Sequence, residues 1–155
     1  MNDNLTVRFE PDHLKHLILQ KHERDTLDIS HLLLIANSLT AEVRSCFYKE
    51  RLLGLGGYFP LWPGVIELFI IPSVYLPKYP KVSCRVIQWG LDILKSNPTL
   101  HRIQTTTVDD PIRNRFVASL GFRYEGTFRQ YTKHQESYRM WALVRGNING
   151  AVDWS

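Results

Sequence analysis

One acidic side chain stands alone in an otherwise apolar segment of the chain. Glu67 is the only charged residue of Val65–Ile71. If the segment is a strand, side-chain alternation places Glu67 on the same face as Phe69 and Ile71. A carboxylate on such a face loses hydration, which makes its ionised form less favourable and suits it to act as a general base near neutral pH. The alternative is a structural carboxylate at a strand bend, paired with an arginine.

Two other groups of polar residues could bind ligands. His13, His16 and His22 lie close together in sequence, but no cysteine or acidic residue accompanies them at the spacing of metal ligands. We therefore expect surface histidines and no metal site. Arginine and tyrosine are frequent near the end of the chain, where alternation puts most of them on outer faces of edge strands, which does not favour nucleic-acid binding: Arg123, Arg129, Tyr131 and Arg139.

Hydrophobic periodicity and turn residues predict the elements that carry these side chains. Strands are expected at residues 5–9, 43–48, 52–59, 65–71, 102–108, 122–129 and 138–145. Helices are expected from Pro11, from Asp28 or Ser30, from Pro80 to about Lys95 with Ile93 on the buried face, and over 112–120. The order β-α-α-β-β-β-α-β-α-β-β predicts an α/β fold with a central mixed, mostly antiparallel sheet flanked by helices.

Composition limits the class of protein. With 155 residues, of which 44% are hydrophobic, we expect one domain at 1–145 and a loose tail at 146–155. The net charge of +4 leaves anionic partners open. Because no secretory signal pattern and no bilayer-spanning apolar run are present, a cytoplasmic protein without a membrane partner is expected. Cys46 and Cys84 lie in apolar segments and are expected to be reduced, buried thiols.

The element order and three segments resemble the GNAT superfamily of acyl-CoA-dependent N-acetyltransferases. Val65–Pro72 is similar to the fourth strand of that family, and His101–Val108 to the fifth. Asp110–Phe122, with its Leu-Gly-Phe ending, is similar to the closing helix. Within the superfamily, the helix with Trp89–Asp92 and the step Pro98–Leu100 resemble GNAT-like proteins of tailed bacteriophages.

The resemblance implies acetyl-CoA as cofactor, Glu67 as catalytic base and the fold of a GNAT domain. The implied cofactor residues are Phe69, Ile70, Ile71, Lys78, Lys81, Val82, Ser83, Arg85, Asp110 and Asn114. The first three would hold pantetheine through their backbone. At the pyrophosphate loop the family's glycines are replaced by Lys78-Tyr-Pro-Lys-Val-Ser83. Lys78, Lys81 and Arg85 could neutralise phosphates as point charges, or Lys81 and Arg85 could simply form the exposed stripe of the helix.

Two functions remain open from the sequence. The first is transfer of an acetyl group from acetyl-CoA to an amine of unknown acceptor, whose groove in this superfamily involves segments such as 10–40 and 131–137. The second is a catalytically degraded phage GNAT-like protein that binds a bacterial host or phage protein. Val117 stands where many family members carry the tyrosine that protonates the leaving thiolate, and only Tyr124 or Tyr131 could replace it. A homodimer is compatible with either function.

Overall fold

The computed structural model describes residues 5–27 and 41–155. In this part of the chain, the α-helices are α1 (Lys21–Thr26), α2 (Pro80–Lys95) and α3 (Pro111–Ser119), and 3-10 helices occupy Pro11–His16 and Leu76–Lys78. The strands are β1 (Thr6–Arg8), β2 (Glu42–Tyr48), β3 (Arg51–Trp62), β4 (Val65–Pro72), β5 (Arg102–Val108), β6 (Arg123–Phe128), β7 (Tyr138–Ile148) and β8 (Ala151–Trp154). None of these helices has the length and apolarity needed to cross a membrane.

The strands form a mixed sheet in which most pairings are antiparallel. Their order is β1-β2-β3-β4-β5-β7-β6, and β8 pairs with β7 outside this path. The pairings β1–β2, β2–β3, β5–β7, β6–β7 and β7–β8 are antiparallel, whereas β4–β5 is parallel. A helix joins β4 to β5, as a parallel connection requires. The predicted fold class, an α/β fold with a mostly antiparallel sheet flanked by helices, is confirmed.

Residue contacts divide the chain into two compact units. The first unit comprises residues 1–59 and 69–92, and the second comprises 60–68 and 93–155. In the first unit, buried apolar side chains of β2, β3 and β4 form a core with the residue after β1, namely Phe9, Val43, Leu52, Leu55 and Ile71. Burial of such side chains from water is the main source of its stability.

The second unit has its own buried side chains, which come from β5, β7 and α3. Ile103 and Leu143 are fully buried opposite each other on neighbouring strands. Val117 of α3 and Trp141 of β7 are also buried, and the Trp141 indole donates to the hydroxyl of Thr107 at 3.1 Å. This hydrogen bond satisfies the one polar atom of a large buried ring.

The amino-terminal helices differ from the prediction. Residues Pro11–His16 form a 3-10 helix, and its Glu10 amide donates to His13 Nδ1 at 3.1 Å. Helix α1 was missed because its sequence Lys-His-Glu-Arg-Asp-Thr has no apolar periodicity. The helix expected from Asp28 or Ser30 lies outside the described residues. In α2, Ile93 is half exposed because it lies about 200° around the helix from the buried Leu91.

The expectation of a loose tail at 146–155 was wrong. Strand β7 continues to Ile148, and β8 returns along it with Gly146 opposite Asp153. The turn between them is Asn149-Gly150, and both residues have positive φ, at 51° and 81°. Asn-Gly is the strongest short signal for such a two-residue hairpin turn, so the sequence contained the information.

The turn from β3 to β4 is hydrogen-bonded to the residues at the beginning of β5. Gly64 has a φ of +83°, and its carbonyl accepts hydrogen bonds from the amides of His101 (2.9 Å) and Arg102 (3.1 Å). A Cβ atom on Gly64 would overlap the His101 ring. Only glycine therefore suits both the backbone conformation and the space at this position.

We expect Gly64→Ala to lower the free energy of unfolding by roughly 2–4 kcal/mol, since it adds backbone strain and a steric overlap. Gly90→Ala is the matched control, because Gly90 lies inside α2 with no atom near the position of its Cβ. This control should raise the free energy of unfolding by about 1 kcal/mol. Urea denaturation of both variants measures the two effects, and equal stability of the two would contradict the role of Gly64.

Candidate functional site

Parallel pairing of β4 with β5 is short. It covers four residue pairs and ends at Leu68 and Thr105. Strand β5 continues to Val108, still paired with β7, and β4 continues to Pro72. In the described part of the chain, no register pair joins β4 to β5 beyond Leu68 and Thr105. A strand segment that lacks a pairing strand on one side can bind an extended ligand in the manner of an added strand.

The side chains that follow this point on β4 alternate in exposure. Phe69 packs its ring against Phe59 with 5.1 Å between ring centroids, and Ile71 is buried in the core of the first unit. Ile70 between them is 40% exposed. The three residues predicted to contact the cofactor therefore have side chains that alternate between the two faces of the strand: Phe69, Ile70 and Ile71. None of these side chains is polar, so a hydrogen bond from this segment to a ligand would have to come from its backbone.

Glu67 is half-buried and has two neutral polar neighbours. Its Oε2 lies 3.4 Å from Nε2 of Gln104, and its Oε1 lies 3.5 Å from the hydroxyl of Thr106. Both distances are long for hydrogen bonds, so the carboxylate is held loosely. Within residues 5–27 and 41–155, no cation forms an ion pair with Glu67, and the arginine-paired alternative is therefore not observed.

A chain of hydrogen bonds fixes the orientation of Gln104. Arg102 donates from Nε to Gln104 Oε1 at 2.9 Å, which leaves the Gln104 amide nitrogen as the group that faces Glu67. The two terminal nitrogens of Arg102 bind both carboxylate oxygens of Glu125, at 3.0 and 2.5 Å. This hydrogen-bonded fork holds the pKa of Glu125 below its ordinary value and raises that of Arg102.

Sequence analysis did not find this row of polar residues. Arg102, Gln104 and Thr106 alternate along β5, and the fully buried Ile103 points to the other face. The period-two polar pattern of His101–Val108 was the signal that could have identified them. Their partner Glu125 lies on β6 and could not be paired with Arg102 without the register.

The start of α2 offers two free backbone amides. Pro80 has no amide hydrogen, and the Ser83 amide donates to the carbonyl of Tyr79 at 2.9 Å. The Ser83 hydroxyl, buried with its residue 4% exposed, donates to the carbonyl of Leu76 at 3.0 Å. Among the described residues, the amides of Lys81 and Val82 have no acceptor, as the first turn of a helix leads one to expect.

The three cations predicted for the phosphates are all exposed. Lys81 and Arg85 lie on the first turns of α2. Lys78 ends the preceding 3-10 helix, and its ammonium lies 5.3 Å from the centroid of the Tyr75 ring. All three side chains lie near the helix start and can approach an anion from solvent.

Asp110 and Asn114 have different surroundings. One carboxylate oxygen of Asp110 caps α3 by accepting the amides of Ile112 and Arg113, both at 2.9 Å, and the other lies 3.2 Å from the Arg113 guanidinium. Asn114 donates to Asp109 at 2.8 Å. The Asn114 carbonyl oxygen is buried and, within the described part of the chain, has no hydrogen-bond partner. Asn114 therefore retains an unused acceptor, whereas both carboxylate oxygens of Asp110 are already engaged.

The tyrosines that could protonate a leaving thiolate lie on the second unit. Val117 is buried at 6% exposure. The Tyr124 hydroxyl hydrogen-bonds the hydroxyl of Thr127 at 2.8 Å. Tyr131 is 59% exposed and stacks between Phe128 and Tyr138. Neither tyrosine hydroxyl is bonded to a charged group in the described ranges.

Two minor expectations need correction. Cys46 is half-buried, and burial raises its thiol pKa to about 11, but Cys84 is exposed on α2 rather than buried. His13 is half-buried rather than a surface residue, because its Nδ1 lies 2.8 Å from the hydroxyl of the fully buried Ser45. Among the described residues, no cluster of histidine, cysteine and acidic side chains has the form of a metal site.

Several solved structures have an architecture similar to that of this chain. A GNAT-family acetyltransferase from Bacillus anthracis superposes with a TM-score of 0.65 and 16% identity, covering 90% of this chain and 93% of that one. A mutant of the spermidine N-acetyltransferase from Vibrio cholerae gives 0.64 and 14%, covering 90% and 94%. A GNAT-family acetyltransferase from Streptococcus pneumoniae gives 0.60 and 16%, covering 92% and 99%.

The chain has the GNAT fold. No protein-family model matches it, and no curated protein matches it in sequence. At these identities the similarity concerns the fold alone.

The Arg102–Glu125 fork should contribute about 1 kcal/mol to the free energy of unfolding at neutral pH, which is the upper end of the range for ion pairs at the surface, since the Glu125 side chain is 39% exposed. Glu125→Gln should remove this contribution. Because the pKa of Glu125 is lowered in the folded chain, this contribution is complete above pH 4.5 and is lost as pH falls through the lowered value. Urea denaturation at pH 7 and pH 3 measures the difference between wild type and variant.

Asp12→Asn is the matched control for this experiment. Asp12 and Lys15 form an ion pair whose side chains are 79% and 71% exposed, so its loss should change stability very little at either pH. A Glu125→Gln effect that does not shrink on acidification would contradict the fork as its cause.

Proposed function

We propose that this protein is an N-acetyltransferase that moves the acetyl group of acetyl-CoA to an amine. The observation that carries the proposal is the end of β4–β5 pairing at Leu68 in a chain with the GNAT fold. The backbone of Phe69, Ile70 and Ile71 directly follows that point. Free backbone groups on an extended segment are suited to the amide-containing pantetheine arm.

The residues present fit the phosphate-bearing end of the cofactor in part. The free amides of Lys81 and Val82 at a helix start, together with the cations Lys78 and Arg85, would attract a pyrophosphate. The unpaired Asn114 carbonyl oxygen would accept a hydrogen bond from the cofactor. Ser83 and Asp110 instead stabilise the starts of α2 and α3, since their polar groups already have partners.

Glu67 is the proposed general base. It accepts a proton from the acceptor amine, whose nitrogen forms a bond to the acetyl carbon while the carbon–sulfur bond breaks. The thiolate leaves with the bonding electrons and is then protonated, which gives the N-acetyl product and free CoA. The groups that contact the Glu67 carboxylate are the neutral donors Gln104 and Thr106.

One structure of similar fold indicates which acceptors to test first. It is a spermidine N-acetyltransferase, which makes polyamines the first acceptors to test. Other primary amines and protein amino groups follow in the same screen. Release of the free CoA thiol measures turnover for each acceptor.

The test begins with calorimetry of acetyl-CoA binding. We expect saturable heat below millimolar cofactor. Glu67→Gln should leave that affinity nearly unchanged and lower kcat by about 10²–10⁴-fold, the usual contribution of a general base. Asp92→Asn is the control, because it makes the same carboxylate-to-amide change on an exposed residue of α2. It should leave both affinity and kcat unchanged.

Different outcomes remove different parts of the proposal. The absence of heat at millimolar acetyl-CoA would overturn the proposal that the protein is an enzyme. The alternative would then be a GNAT-like protein that binds a host or phage protein, which agrees with Val117 at the position of the family's tyrosine. Normal binding with an unchanged rate in Glu67→Gln would keep the enzyme and remove Glu67 as its base.

A further inference from the structure

Three aromatic side chains of the second unit form a row where β6 ends and β7 begins. The ring centroids of Phe128 and Tyr131 are 5.3 Å apart, and those of Tyr131 and Tyr138 are 5.4 Å apart. Phe128 is 40% exposed and Tyr131 is 59% exposed, so both rings are accessible from solvent. We call these three side chains the aromatic row. Its exposed surface is suited to contact with a flat apolar group of a ligand.

Strand register places the aromatic row on the same face of the sheet as Glu67. The Glu67 carboxylate contacts the hydroxyl of Thr106 on β5. Two residues further along β5, Val108 is opposite Tyr138 of β7, and Tyr138 is in turn opposite Phe128 of β6. Residues that are directly paired share a face of a sheet, and so do alternate residues of one strand. Glu67 and the aromatic row therefore belong to one surface of the second unit.

The separation between Glu67 and the aromatic row sets the length of a ligand that contacts both. From Thr106 to Val108 the strand advances about 7 Å, and Tyr138 lies about 5 Å to the side on the neighbouring strand. Met140, opposite Thr106, is the residue of β7 that precedes Tyr138 on this face when the strands are followed away from Glu67. A ligand with one group at Glu67 and another at the row must therefore extend roughly 10 Å.

Backbone hydrogen bonds fix the turn that carries Tyr131. The Tyr131 amide donates to the carbonyl of Glu136 at 2.8 Å, and the Gln135 amide donates to the carbonyl of Thr132 at 2.8 Å. Gln130 and Gln135 have φ values of 52° and 59°. This left-handed conformation is unfavourable for residues with a side chain, so the hydrogen bonds of the turn must compensate for it. The turn therefore holds Tyr131 in a defined position between its two aromatic neighbours.

The charges near the aromatic row distinguish between two classes of amine. The segment between β6 and β7 contains two cations, Arg129 and Lys133, and one carboxylate, Glu136, which gives a formal charge of +1. The adjoining Asp109 forms an ion pair with Arg139 at 2.7 Å. A second ammonium group of a ligand would be repelled by this net positive charge, whereas a neutral ring would not. The surroundings of the row therefore favour a neutral aromatic group over a second cation.

We propose that the acceptor of this protein is a primary amine that carries a neutral aromatic group. The aromatic group packs on the aromatic row, mainly against Phe128 and Tyr131, while the amino nitrogen lies at Glu67. This inference rests on the proposed acetyltransferase function and narrows its acceptor to one chemical class. Contacts between aromatic rings add to the free energy gained from burial of the ring. The class differs from polyamines, whose remote groups are charged.

The experiment compares acetyl transfer to 4-phenylbutylamine, butylamine and spermidine by the full chain, measured as release of the free CoA thiol. We expect kcat/KM for 4-phenylbutylamine to exceed that for butylamine by about tenfold or more, because the ring adds apolar contact area. Tyr131→Ala should reduce this ratio to about threefold or less, whereas Tyr131→Phe keeps the ring and should retain the ratio. Spermidine should be a poorer acceptor than 4-phenylbutylamine for the wild type.

Ile112→Ala is the matched control. Ile112 is a 73% exposed apolar residue on α3 of the same unit and is outside the aromatic row, so its loss should leave the ratio between the two amines unchanged. Thermal unfolding of each variant verifies that the fold is retained. Equal losses of preference in Ile112→Ala and Tyr131→Ala would mean that any exposed apolar side chain has this effect, which overturns the row as the site.

Calorimetry with 4-phenylbutylamine and with acetyl-CoA separates this inference from the proposed function. If the amine binds to the wild type and not to Tyr131→Ala while acetyl-CoA does not bind, the row stands as a site for aromatic amines and the acetyltransferase proposal fails. If acetyl transfer occurs but 4-phenylbutylamine and butylamine react equally well, the row is overturned and the acetyltransferase proposal stands. Faster acetylation of spermidine than of 4-phenylbutylamine overturns the aromatic acceptor class.

Discussion

The short parallel contact between β4 and β5 is the constraint on which the candidate site depends. Four residue pairs hold the beginnings of these strands together, and the Gly64 carbonyl binds the two amides that start β5. Because parallel pairing stops there while both strands continue, backbone groups are left for another partner. A longer parallel ladder would satisfy them internally. Under the proposed function, binding by β4 would therefore depend on pairing that ends early and on its backbone.

The carboxylate of Glu67, within this paired stretch, contacts neutral groups. An arginine in direct contact would fix Glu67 in its ionised form and oppose proton uptake. Here the arginine is one residue removed, since Arg102 binds Gln104 and Glu125 while Gln104 faces Glu67. The strong interaction lies in the fork, and the weak contacts lie at Glu67. Such an arrangement fixes Gln104 firmly and leaves Glu67 with only long contacts to neutral groups.

The start of α2 differs from a glycine-rich anion-binding turn. Backbone amides of a glycine-rich turn bind phosphates without net charge, and they require small residues so that the ligand can approach. This chain has a proline and a buried serine in that segment, so fewer amides remain. Side-chain cations held over a tyrosine ring have longer reach and need no close backbone approach. Their interaction with an anion is more sensitive to salt, because it is exposed to solvent.

The order of the strands from β1 to β7, the mixed sheet and the extents of α2 and α3 could be predicted from the sequence, since these follow from local periodicity and from Asp110 and Gly121 at the helix ends. The Asn149-Gly150 turn was also visible in the sequence as a hairpin signal. The contact of Glu125 with Arg102, 23 residues away, and the shared contact of Arg51 and Lys78 with one ring could be found only in the folded structure. These contacts depend on strand register and on which turns meet in space, and local sequence patterns carry no information about either.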